Sequence, residues 1–127
     1  KEFEPEPNQA QVTLAHTWVE AGAGLIVGAH PHVIQPGRWI TLPGGERGYV
    51  AYSLGNFVSG MDRKERQLTV ALEVRVTRGP EGESAVSEVI VHPGRMRLKD
   101  RPYTVTRLNP KMGEEGLLRD IVARFER

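Results

Sequence analysis

The sequence predicts an α/β fold tending to α+β: a mixed sheet with antiparallel hairpins and flanking helices. Three stretches carry that reading. Residues 25–29 (L-I-V-G-A) are a short apolar run bounded by glycines, the pattern of a buried strand in a parallel or mixed sheet. Residues 67–78 alternate strictly: Leu68, Val70, Leu72, Val74 and Val76 fall between polar or small neighbours, so one face is buried and the other is wet. Near the C-terminus, Leu117, Ile121 and Phe125 repeat every four residues, the stripe of a helix packed on a sheet. The 127 residues suffice for one domain with a modest core. Within it, 1–60 reads as a helix–strand–strand unit, and 61–127 as strand hairpins closed by a helix.

The elements follow in order. Residues 1–7 (K-E-F-E-P-E-P) are acidic and punctuated by proline, an extended lead-in. Asn8 is placed to cap a helix over 9–21, with Val12, Ala15 and Val19 on one stripe and Leu14, Trp18 and Ala21 beside it. Gly22 suits a left-handed helix end. His16 reads as a partly exposed helix histidine. After the 25–29 strand come a short strand over 39–42, a turn over 43–48 and a second strand over 49–54. Residues 79–83 are a hairpin loop, and the return strand covers 84–92, stopped by Pro93-Gly94. Weaker strands follow at 96–98 and 103–108, joined through Asp100-Arg101-Pro102. The last helix covers 114–127.

Charge and composition exclude several classes. The formal net charge is +1, so no overall field points to nucleic acid or an anionic membrane. The basic surplus of the C-terminal region reads as a solvated face, and no nucleic-acid docking motif is present. There is no cysteine, which leaves His, Asp, Glu and Asn as the available metal ligands. No apolar run approaches the roughly 20 residues that span a bilayer.

Two stretches carry chemistry. The first is His30-Pro31-His32, just past the carboxyl end of the 25–29 strand, where α/β sheets present working residues. Pro31 disfavours the α region for His30, so the backbone through the pair is expected to stay extended. The two imidazoles would then point to one side and could converge on one or two metal ions. The bland alternative is a pair of histidines capping a strand end. The second stretch is Tyr52-Ser53-Leu54-Gly55-Asn56-Phe57, where glycine allows a tight turn and Asn56 offers an amide to a ligand, a metal or the turn itself. Ser53 has no basic partner in the sequence, which argues against a serine nucleophile.

Together these stretches say more. A helix, then G-A-H-P-H-V-I-Q-P over 28–36, a turn, and Y-S-L-G-N-F over 52–57 resemble the CapA family of bacterial capsule (poly-γ-glutamate) synthesis proteins. That family's fold is similar to the calcineurin-like metallophosphoesterases. The opening Glu4-Pro5-Glu6-Pro7-Asn8 also looks like the family's segment before the helix. The resemblance covers residues 4–60; one departure is Gly24, where the family often has aspartate.

The resemblance implies that His30 and His32 are catalytic ligands of one or two divalent metal ions. It also implies that Tyr52, Ser53, Gly55 and Asn56 line the substrate site. It makes the chain the second half of a metallophosphoesterase-type sandwich, the C-terminal portion of a longer protein. The carboxylates and further histidines of such a site would come from preceding strands. Two imidazoles alone are a poor divalent site, since zinc usually takes three or four protein ligands. The fragment is therefore expected to be inactive alone, and to pair with the missing N-terminal half or with itself. The implied parent is a metal-dependent hydrolase acting on a phosphoester or an acidic polymer. The alternative is a non-enzymatic accessory or polymer-binding protein of capsule assembly. Either would be extracytoplasmic and membrane-associated.

Overall fold

The structure is a computed structural model and describes residues 1–98 and 103–126. Its centre is β3 (Arg47–Leu54), which lies between β1 (Leu25–Val27), parallel to it, and β2 (Ile34–Thr41), antiparallel to it. A second sheet is wholly antiparallel, in the order β4 (Leu68–Arg78), β5 (Ser84–Arg97), β6 (Thr104–Arg107). Helix α1 (Gln9–Glu20) precedes the first sheet, and α2 (Glu115–Ala123) follows the second. Short 3-10 turns occupy Lys64–Gln67 and Pro110–Met112. The α/β to α+β class read from the sequence is the class observed.

Strand alternation in β3 divides the core in two. Val50 and Tyr52 face α1 and pack with Ala15, Val19, Ile26 and Ile40. Tyr49 and Ala51 face the other way and pack with Ile34, Val70, Leu108, Ile121 and Phe125. β3 is thus covered on both faces. The buried Tyr49 hydroxyl donates to the Phe125 carbonyl at 3.0 Å, tying the C-terminal segment to the central strand. Burial pushes that phenol up to about 12.

Helix α1 starts where Asn8 predicts. The Asn8 side chain accepts from the Gln11 N–H, and the Gln11 side chain accepts from the Asn8 N–H, both at 3.0 Å. This reciprocal cap satisfies two otherwise orphaned donors. Gly22 has φ of 97°, the expected left-handed exit. Ala15 and Val19 are buried, while Leu14 and Trp18 stay exposed.

Several strand boundaries differ from expectation, and β3 starts at Arg47 rather than Tyr49. β1 ends at Val27, two residues early, although the Gly28 N–H still donates to the Ala51 carbonyl. β2 begins at Ile34 rather than Trp39 and runs through Pro36 and Gly37. Its ladder pairs Gln35 with Ser53 and Gly37 with Ala51, and an outer strand tolerates the proline between them. β5 does not stop at Pro93-Gly94 but continues to Arg97, merging the two strands expected at 84–92 and 96–98. Pro93 sits where the short β6 has ended. Its carbonyl accepts the Leu108 N–H on that side, so its missing donor faces no β4 partner.

β4 and its hairpin partner match the alternation, with a bulge between Arg75 and Val76. Helix α2 is shorter than expected, ending at Ala123, and the side chain of its cap residue Arg124 reaches the N-terminal lead-in. The Asp100-Arg101-Pro102 connection lies outside the described residues. No helix among the described residues is long and apolar enough to cross a membrane.

Candidate functional site

β1 and β3 run parallel, so their carboxyl ends emerge together. The segment after β1 carries His30 and His32, and the segment after β3 carries Gly55 and Asn56. The end of β3 then runs into the start of β4 through a bridge between Gly55 and Thr69. These segments enclose a hollow of about 400 Å³, lined by His30, His32, Ser53, Gly55, Asn56 and Phe57, among others. Residues 24 positions apart in sequence meet here because the sheet aligns two strand ends.

The backbone through the histidine pair is not extended. φ is 99° at His30 and 60° at His32, both left-handed. The cause is topological. β1 and β2 flank β3 in opposite senses, so residues 28–33 must reverse the chain. Pro31 is confined to negative φ, and the turn falls on its neighbours. Such conformations cost on the order of 1–3 kcal/mol each for residues with a side chain. Surrounding bonds hold them: the Pro31 carbonyl accepts the Phe3 N–H at 2.8 Å, and the His32 carbonyl accepts from the Asn56 amide at 3.4 Å. The two imidazole centroids lie 6.3 Å apart.

Asn56 determines the state of His32. Its Nδ2 donates to the carbonyls of Arg66, at 3.1 Å, and His32. Carbonyls only accept, so the amide orientation is fixed and Oδ1 is left as an acceptor. That oxygen lies 2.8 Å from His32 Nδ1, which must therefore carry the proton. In the neutral form of the ring the lone pair is then on Nε2, the arrangement that metal-ligating histidines take from a fixed partner on the other nitrogen.

The remaining sequence-selected residues divide. Gly55 adopts φ of 73°, and an added Cβ would run into the Leu68 carbonyl, so the turn requires glycine. Ser53 is buried, and its hydroxyl accepts the Gly55 N–H at 3.3 Å, which shapes the turn. Tyr52 points to the opposite face of β3. It lines a separate hollow of about 170 Å³ with Gln11, Trp18 and Ala29. Burial holds its phenol above the ordinary value, with the Arg38 charge pulling the other way, so it stays protonated at neutral pH. His16 is exposed on α1.

Three residues that shape the site were not singled out from the sequence. Phe3 sits with its ring centroid 6.2 Å from that of His32, and the Arg66 guanidinium lies 3.6 Å over the Phe3 ring. Gln35 is fully buried. Its amide donates to the Glu4 and Glu6 carbonyls, both at 3.0 Å, and accepts from Gln11 at 3.1 Å. It clamps the lead-in segment so that Phe3 reaches His32. The available signal was a glutamine set between apolar residues and a proline in the histidine motif, a polar group that needs a buried partner.

Residues 1–61 match the family described as bacterial capsule synthesis protein PGA_cap. This segment, just under half of the chain, carries that family's sequence pattern. Among similar curated proteins is PGA biosynthesis protein CapA of Bacillus subtilis (strain 168), 32% identical over 92 residues, covering 72% of this chain and 23% of the relative. Another is capsule biosynthesis protein CapA of Bacillus anthracis, 43% identical over 58 residues, covering 46% of this chain and 13% of the relative. The chain thus spans less than a quarter of the length of these curated relatives. No solved structure matches it significantly. The histidine motif and the Tyr52–Phe57 motif both fall inside the matched segment, whereas Thr69 and Val70, which also line the hollow, lie beyond it.

The donor set fits a divalent metal in part. His32 offers a positioned Nε2, and exposed His30 stands beside it. Among the described residues no group of three or more His, Cys, Asp or Glu side chains could hold a metal ion. Any metal held by His30 and His32 needs further ligands from outside this set.

Proposed function

We propose that this chain is of the capsule-synthesis family and supplies the histidine wall of a metal-dependent hydrolase site. The hydrolase would act on a phosphoester or on an acidic polymer such as poly-γ-glutamate. The observation that carries the proposal is the Asn56–His32 contact, which leaves Nε2 free and aimed from a strained, well-braced turn. A divalent metal held by His30 and His32 would supply Lewis acidity and an activated water. Asn56 orients His32, Gly55 and Ser53 shape the adjoining turn, and Phe57 lines the hollow beside them. The remaining ligands would come from other parts of a longer protein or from a second copy. The exposed apolar residues along β1, Leu25 and Val27, mark where added chain would pack. An extracytoplasmic, membrane-associated location belongs to the same proposal.

The test is metal analysis of the full-length protein, with phosphomonoesterase, phosphodiesterase and polymer-cleavage assays, beside a His30→Ala/His32→Ala double variant. The expected outcome is stoichiometric divalent metal and turnover in the parent, and loss of both in the variant. Activity that survives the double substitution sinks the proposal. A second reading, polymer binding without turnover, is favoured by the exposure of Arg38, Arg47, Arg63 and Lys64. Polymer binding by a metal-free, inactive parent would establish that reading instead.

A further inference from the structure

A second hollow, of about 310 Å³, adjoins the first on the β4–β6 sheet. The two share Phe57 and Thr69 as lining residues, so a chain-like ligand can cross from one to the other beside a single aromatic ring. The second hollow is lined further by His92, Gly94, Thr106 and Arg107. Among the described residues, none of its lining side chains is a carboxylate.

The polar groups here form a directed chain. Arg107 donates to His92 Nδ1, and His92 Nε2 lies 3.0 Å from Glu73 Oε2. A guanidinium can only donate, so Nδ1 is the acceptor and the ring proton sits on Nε2, donating to the carboxylate. His92 is thereby a neutral spacer that separates Glu73 from Arg107 while fixing the guanidinium in place. Strand register produces this order. His92 pairs with Ala71, so Glu73 lies diagonally across the ladder, and Arg107 pairs with Gly94, two residues along β5. Gly94 has no side chain to fill the floor. Of five guanidinium N–H donors, one goes to His92, and a planar fork is left for an oxyanion.

We propose that this hollow is a carboxylate subsite, in which Arg107 binds an acid group of a polymer whose neighbouring unit lies at His30 and His32. The proposal rests on the acidic-polymer form of the reading above and names the residue that recognises that substrate. Arg107 lies outside residues 1–61, the segment that matches the family.

The experiment measures binding of fluorescently labelled poly-γ-glutamate to the 127-residue chain by anisotropy at low salt, with duplex DNA as a phosphate polyanion. The variants are Arg107→Gln, Arg107→Lys, Arg78→Gln at the distal hairpin, and His30→Ala/His32→Ala. Circular dichroism confirms that each is folded. The expected result is at least a tenfold loss for Arg107→Gln, a smaller loss for Arg107→Lys, and no change for Arg78→Gln. DNA should bind no better to the wild type than to Arg107→Gln. The fold-loss caused by Arg107→Gln should be the same in the His30→Ala/His32→Ala background as in the wild type, which separates this subsite from the hydrolase proposal. Equal polymer binding by wild type and Arg107→Gln, or no binding by the wild type, overturns the subsite. Equal losses for Arg78→Gln and Arg107→Gln overturn it as well, since they would show diffuse charge attraction.

Discussion

The two sheets solve the same packing problem differently. The β1–β3 sheet is covered on both faces, by α1 on one side and by β4, Leu108 and the α2 region on the other. The β4–β6 sheet is covered mainly where β4 begins. Toward its distal hairpin the side chains emerge, and Val76 is 59% exposed although it continues the alternation of Val70, Leu72 and Val74. An alternating pattern therefore says which face a side chain takes, and not whether anything covers that face. The consequence for the site is direct. The histidines stand at the end of the doubly covered sheet, where strained turns can be held. The less covered sheet contributes Thr69 and Val70 to the hollow's wall.

Substitutions can break this contrast. The largest expected effect is at Phe125, buried against Tyr49, Ile121 and Ala51. Phe125→Ala should cost about 3–5 kcal/mol in urea unfolding, by lost burial plus a cavity. Val76→Ala, also on an apolar stripe, should stay within about 0.5 kcal/mol. Similar losses at the two positions would mean that the distal hairpin is as well packed as the centre.

A smaller effect is expected at Gln35. Gln35→Leu removes two bonds to the lead-in carbonyls and one to Gln11. The cost should be about 1–3 kcal/mol, because two carbonyls lose the buried donor that holds them. Limited proteolysis should then cut within residues 1–7 faster than in the wild type. An unchanged cleavage rate would show that Arg124, which also bonds to Pro5 and Glu6, holds the segment by itself.

The smallest effect at neutral pH concerns the Tyr49 phenol. Its folded value is raised by burial to about 12, above the ordinary 10. Its contribution is therefore fully present below pH 10 and is lost as pH rises from 10 toward 12. Tyr49→Phe should flatten that alkaline decline in thermal stability. A slope that persists unchanged in the variant would assign it to other groups.

Much of this protein was legible in its sequence. The α1 cap at Asn8, the left-handed Gly22 exit, the β4 alternation and the Leu117–Ile121–Phe125 stripe are local patterns, and local sterics and periodicity are enough to produce them. The two motif segments were also legible as a linked pair, because their residue types and spacing are unusual. Boundaries at prolines were not. Pro36 and Pro93 look like stops, yet each lies inside a strand, because what matters is whether a partner needs the missing N–H at that point. The geometry of the histidine pair was misread for a related reason. The local preference of a residue before proline favoured extension, but the need to reverse direction between β1 and β2 overrode it.

Sequence alone thus determined the fold class, the main elements and the motifs that carry the family's pattern. Only the tertiary structure decided which of those motif residues share a hollow. It separated Tyr52 from Ser53, since neighbours on a strand face opposite sides. It also brought Phe3 and Arg66 to His32 from distant parts of the chain, with Gln35 holding the segment that carries Phe3. The His30-Pro31-His32 pair is a local feature. The hydrogen bond that frees the His32 Nε2 depends on Asn56, which the sheet alone brings within reach.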